Sequence, residues 1–214
     1  MINYWKGKVS ARTQNYRLDN FGRLYDMNND PGQQVDISKL SPEVTKKLLK
    51  EVDDWKKNVL AELGKDERSF IIGHPNYSWT QIPARDGTPK GAIKRSGRFP
   101  NCSYFSNWKN TKDKITWDCE VGASGTYEVS IHYALKEENK GTVIRLSHNN
   151  SKIEYKFIKS HEVPVRGQEN DRVKRRESYV KDFKEIKIGK INLTKGKGEL
   201  ALQALEIPGN ESIE

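Results

Sequence analysis

Apolar positions change their period twice along the chain. Between residues 8 and 27 they come in short extended runs, 9–13, 16–18 and 23–27, with turn chemistry at Asp19, Asn20 and Gly22 between the last two. Asn29, Asp30, Pro31 and Gly32 then stop the sheet, because Pro fixes φ and Gly accepts positive φ. From there the spacing lengthens to three or four: Val44, Leu48, Val52, Trp55, Val59 and Leu63 form one stripe, which predicts a helix over 42–63. Ser41 as N-cap and Pro42 at the first helical position start it, and Gly64 ends it. Three or four short strands cover little of such a stripe. Most of it, Trp55 included, is expected to be exposed and to promote association.

Residues 65–98 show neither period and are rich in Gly, Pro, Asn, Asp and Arg, so they read as a linker or functional loop. From 99 to 214 the period is two. Ile115, Trp117, Cys119 and Val121 alternate with polar residues, as do Tyr127, Val129, Ile131 and Tyr133, then Ile153, Tyr155 and Phe157. Ile186, Ile188, Ile191 and Leu193 nearly alternate. Leu200 and Leu202 give way to Leu205 and Ile207, a phase slip that predicts a β-bulge. Short strands with Gly, Asn and Lys turns predict an antiparallel β-sandwich. The expected fold class is therefore α+β: a small antiparallel sheet with one long helix in 1–64, a linker in 65–98 and a sandwich in 99–214.

Net charge is +9 with a mean hydropathy of −0.88, so the surface is wet and basic. That balance suits anionic partners without selecting one, and Lys is spread along the chain. No aromatic-interleaved basic face or groove-reading helix is visible, so no nucleic-acid partner is expected. No apolar run reaches the roughly 18 residues of a membrane span, and residues 1–6 lack the apolar core of an export signal. Cys102 and Cys119 lack metal-site spacing. They read as two free buried thiols, with a disulfide between neighbouring strands as the alternative.

Candidate chemistry is sparse. His132 falls on the polar face of a strand and His148 in a turn, and no nucleophile–base pair or phosphate loop is spaced for catalysis. The most suggestive stretch carries His74, Tyr77, Trp79 and Arg85, combining an imidazole, two aromatics and a guanidinium as a sugar- or anion-binding rim does. The alternative is that Tyr77 and Trp79 plug the loop against the rest of the protein. Arg172, Lys174, Arg175 and Arg176 form a basic run, read as a solvated loop or an oxyanion contact.

Tyr16, Arg17, Gly22, Leu24, Tyr25, Asp26, Asn29, Asp30, Pro31 and Gly32, followed by the 42–63 helix, resemble the hairpin that closes the C-terminal subdomain of the sulfatase (arylsulfatase-like) family. The likeness covers roughly residues 8–63. Residues 99–207 more loosely resemble the galactose-binding-type jelly-roll sandwich that some sulfatases and glycosidases carry at their C-terminus. The resemblance implies a parent sulfuric ester hydrolase that uses calcium and a formylglycine made within a C/S-x-P-x-R motif. Here Cys102 is followed at the third and fifth places by Tyr104 and Ser106, Cys119 by Val121 and Ala123, and Ser41 by Glu43 and Thr45. This chain alone is therefore expected to be inactive, with no catalytic residue, cofactor or metal of its own. The implied partners are a sulfatase catalytic domain and a sulfated or acidic glycan, in a periplasmic or extracellular setting. His74 and Arg85 would meet the anion while Tyr77 or Trp79 stacks on the sugar. A free-standing carbohydrate-binding module and a purely structural tail remain alternatives.

Overall fold

Lys6 and Gly7 both take positive φ (47° and 82°), the geometry of a tight two-residue hairpin turn. They pair β1 (Ile2–Trp5) with β2 (Lys8–Arg12), Trp5 opposite Lys8. The computed structural model describes residues 1–64, 68–99 and 101–214, and these divide into two units, Met1–Glu67 and Arg68–Glu214. The fold is mostly β with one α-helix and largely antiparallel sheets. Among the described residues no helix is long and apolar enough to cross a membrane.

In the first unit β3 (Tyr16–Leu18) and β4 (Leu24–Asp26) complete a sheet of order β1-β2-β3-β4. The Asp19 carboxylate holds the β3–β4 turn, accepting from the backbone N–H groups of Phe21 (2.8 Å) and Arg23 (3.0 Å) and pairing with the Arg23 guanidinium at 2.7 Å. Burial opposes its ionisation, but these bonds outweigh that and hold its pKa below the usual range. In the next turn the Asp26 carboxylate accepts from the N–H of Asn28, and that of Asp30 from the N–H groups of Gln34 and Val35. Asp19, Asp26 and Asp30 thus brace the backbone of residues 19–35.

The helix α1 (Pro42–Asn58) starts at Ser41 as expected, but the Ser41 side chain makes no capping hydrogen bond. It also ends earlier than Gly64, passing at Val59 into a 3₁₀ turn, Leu60–Glu62. Leu48 and Val52 are buried against Val9, Ala11, Leu18 and Leu24, and Val44 and Trp55 pack around that cluster. Only Val59 and Leu63 of the stripe are exposed. The tighter 3₁₀ winding, about three residues per turn, turns Leu60 to the core in place of Val59. The expectation of a mostly exposed stripe is corrected: β2, β3 and β4 bury Leu48 and Val52, and from β1 Ile2 packs on the same cluster while the Tyr4 ring stands 6.4 Å from Trp55.

The second unit begins with β5 (Phe70–Ile72), which pairs parallel to β9 (Lys114–Val121), Phe70 opposite Cys119. The remaining strands are β6 (Thr88–Lys90), β7 (Lys94–Arg95), β8 (Phe105–Ser106), β10 (Gly125–Tyr133), β11 (Val143–His148), β12 (Ser151–Lys156), β13 (Lys184–Leu193) and β14 (Gly196–Glu206). The largest sheet has the order β12-β11-β14-β9-β5, with β6 also on β9; β10–β13 and β7–β8 form two-stranded sheets. Trp117, Val121, Ile144, Leu202 and Ala204 of the large sheet share one apolar core with Tyr133, Ile188, Ile191 and Leu193 of β10–β13.

Residues 68–98, expected as linker, instead supply β5, β6 and β7 and the buried Ile72 and Ile93 to this unit. Strands of two or three residues are too short to display a period. Residues 65–67 of the expected linker lie outside the described residues. The bulge anticipated in the last strand is present: Ile144 pairs with Ala204 and Val143 with Glu206, leaving Leu205 as the extra residue. A second bulge at Ile188 explains the near-alternation of β13, since Val129 pairs with Gly189 and Ser130 with Lys187.

Candidate functional site

The rim stretch leaves β5 through Gly73 (φ +70°), where any Cβ would sit 1.8 Å from the Tyr127 hydroxyl. Glycine alone lets the chain turn there. The Gly73 N–H donates to Thr80 Oγ1 at 3.4 Å, closing a loop of residues 73–80. Inside it the Tyr77 N–H donates to the His74 carbonyl (3.0 Å) and the Asn76 N–H to His74 Nδ1 (3.2 Å). That bond occupies Nδ1 and leaves Nε2 without a hydrogen-bond partner among the described residues. The His74 and Tyr77 rings meet at 5.1 Å, tilted by 49°. Tyr77 is 69% exposed and Trp79 74%, so neither plugs the loop against the protein.

Arg85 belongs to a different element, the 3₁₀ turn Ala84–Asp86. Its Nε stands 3.9 Å from the Asp86 carboxylate, a loose exposed pair. The turn itself is firmly seated. Trp117 Nε1 donates to the Pro83 carbonyl at 3.3 Å, and a Cβ on Gly87 would lie 2.7 Å from both Ile115 and Trp117. Arg95 of β7 donates from Nε to the Arg85 carbonyl (3.0 Å) and from Nη2 to the Gly87 carbonyl. The structure thus brings His74 and Tyr77 together, leaves Trp79 beside them in the chain without a ring partner among the described residues, and ties Arg85 to β7.

The other candidates resolve differently. His132 is exposed on β10. His148, read as a turn residue, ends β11 at 2% exposure with Nε2 lacking a partner, and burial alone lowers its pKa. It packs over Gly198, where a Cβ would approach Nε2 to 2.8 Å. Both cysteines are free, but only Cys119 is buried; Cys102 is exposed, on a residue with φ 55°. Burial pushes the Cys119 thiol up to about 11. Among the described residues no group of three His, Cys, Asp or Glu side chains is arranged to hold a metal.

Sequence reading missed Arg95 as the residue that positions the Arg85 turn. Its only trace was local charge: residues 84–98 contain five basic residues and one acid. A small pocket of about 60 Å³ between Ala134, Lys136, His161 and Lys181 also includes Ser212 and Glu214. The Ser212 hydroxyl there is unpartnered, yet sealed from solvent. No protein-family model matches the chain, and no curated protein matches it.

Proposed function

We propose that the chain is the non-catalytic C-terminal region of a sulfatase-like enzyme. Met1–Glu67 corresponds to the small subdomain that docks on the catalytic domain. Arg68–Glu214 is a galactose-binding-type jelly-roll sandwich that presents an acidic-glycan rim toward the substrate cleft. The observation that carries the glycan reading is the outward-facing His74–Tyr77 ring pair, with Trp79 about three-quarters exposed two residues further on. Exposed rigid aromatics with a free imidazole nitrogen suit a sugar ring bearing an anion. Two features support the sulfatase reading. The matched residues, which lie between 16 and 32, fall on one continuous hairpin and turn, and the matched carboxylates Asp26 and Asp30 are occupied with backbone N–H groups rather than free for catalysis. The sharing of one core by the large sheet and β10–β13 supports the sandwich.

The test has two arms. The purified chain is expected to show no turnover of aryl sulfates, with or without calcium, beyond a heat-killed sample. Tyr77→Ala with Trp79→Ala is expected to weaken binding of a monosulfated galactose disaccharide, too short to present many anions, by about tenfold, two stacking contacts of about 0.5–1 kcal/mol each. Turnover by the chain, or disaccharide binding unchanged in the double variant, overturns the reading.

A further inference from the structure

The basic excess is gathered by the fold rather than spread. Residues 84–98 carry five basic residues against one acid, and residues 166–181 carry six against three. Together they hold an excess of seven in a chain of net +9. The two segments are remote in sequence and are fastened to each other. Ser178, 6% exposed, shares a 2.7 Å hydrogen bond between its Oγ and that of Ser96, immediately after β7. Gly97 lies so close that a Cβ would stand 2.6 Å from the Ser178 hydroxyl. The Tyr104 ring, whose N–H also donates to Ser96 Oγ (3.0 Å), packs edge-on against Phe183 at 5.5 Å. Arg166 N–H donates to the Val180 carbonyl at 2.8 Å and closes the 166–180 loop.

Some cations on these segments are already engaged. Arg175 lies 4.1 Å over the Tyr179 ring and 3.5 Å from Asp171, which also accepts from the Tyr179 hydroxyl at 2.8 Å. Arg166 pairs with Asp182, Lys181 with Glu214, and Arg95 holds two carbonyls. Lys94, Arg98, Arg172, Lys174 and Arg176 are exposed and have no ion-pair partner among the described residues, although the Arg98 guanidinium stands 5.9 Å from the Phe99 ring. Positions 172, 174 and 176 alternate, at most about 7 Å apart per pair in extended chain. Arg175 is held by Tyr179 and Asp171, while its chain neighbours Lys174 and Arg176 have no ion-pair partner among the described residues.

We infer that Lys94 and Arg98 with Arg172, Lys174 and Arg176 form a docking surface for a linear, densely sulfated polysaccharide. Single exposed charge contacts are weak, so such a surface selects ligands that present many anions at once. Guanidinium groups match the sulfate fork. The seam offers no open aromatic platform for bases, because Arg175 covers Tyr179 and Phe99 and Tyr104 are half-buried. That favours a sulfated glycan over a single-stranded nucleic acid. The inference goes beyond the aromatic rim and shares with it only the class of partner.

The test titrates the whole chain with size-defined dextran sulfate, unsulfated dextran of equal length, and a mixed-sequence single-stranded DNA oligonucleotide. Dextran sulfate is expected to bind, with affinity falling about tenfold or more between roughly 50 and 200 mM salt, and unsulfated dextran to fail. The variant Arg172→Ser/Lys174→Ser/Arg176→Ser should bind about tenfold or more weakly at an unchanged thermal midpoint, since Arg175, Ser178 and Tyr179 stay in place. If that variant does not fold, Lys94→Ser/Arg98→Ser decides, with about a threefold or greater loss expected. Tyr77→Ala/Trp79→Ala should leave dextran sulfate binding intact, which separates this surface from the aromatic rim. Charge variants within twofold of wild type, binding indifferent to salt, loss on the aromatic variant alone, or DNA bound as tightly as dextran sulfate overturns it.

Discussion

Replacing Trp55 by Glu tests whether the helix stripe is a core or a surface. Trp55 is half-buried, packs on the cluster around Leu48 and Val52, and stands 6.4 Å from the Tyr4 ring. A Trp side chain offers about 150–250 Å² for burial. With more than half of it covered, at about 25 cal/mol per Å², its removal costs about 2–4 kcal/mol. The tilted Tyr4 pair adds about 0.5–1.5 kcal/mol, and a carboxylate beside Val52 loses hydration on top of that. At about 0.05–0.15 kcal/mol per residue, a unit spanning Met1–Glu67 holds roughly 3–10 kcal/mol. The substitution is therefore expected to remove a third or more of that unit's stability, and at the lower end to unfold it. Hydrogen exchange read locally on α1 is the appropriate assay, because it reports this unit without reference to the other. Protection at Leu48 and Val52 should fall by two or more decades in Trp55→Glu and recover largely in Trp55→Phe. Protection within threefold of wild type in Trp55→Glu, together with improved solubility, would refute the packing argument and restore the exposed stripe.

Thiol chemistry and acid titration test the second unit. In the folded chain Cys102 should react with an aromatic disulfide reagent at pH 8 within the mixing time of a simple thiol. Cys119, buried and with its pKa near 11, should react only as the protein unfolds; two thiols of equal rate would contradict its burial. His148 has a folded pKa depressed by burial, so below about 6.5 the unfolded state binds the proton more readily. Its contribution is present at neutral pH and is lost as pH falls from 6.5 toward the folded value. The urea midpoint should therefore drop from pH 7 to pH 5 more steeply in wild type than in His148→Gln, and equal slopes would remove His148 from the account.

The strands with four or more alternating positions were legible in the sequence, because burial of one face imposes period two on residues such as Ile115 to Val121 and Tyr127 to Tyr133. The bulge at Leu205 was legible for the same reason, as the place where that period breaks. So was α1, whose apolar spacing and Ser-Pro start belong to local backbone preference. Strands of two or three residues carry no readable period, and a parallel partner 49 positions away, as for Phe70 and Cys119, leaves no local trace. Of the candidate site, only the pairing of His74 with Tyr77 arises within one turn of chain and was open to sequence reading. The burial of His148 depends on Gly198 across the sheet. The two basic segments are brought together by contacts between residues far apart in sequence, among them the Ser96–Ser178 hydrogen bond and the Tyr104–Phe183 ring pair. Local sequence sets which residues are apolar, charged or able to turn. Which distant charges and rings come to share a surface is decided only when the sheets close over a common core, since that is the step that brings remote segments into contact.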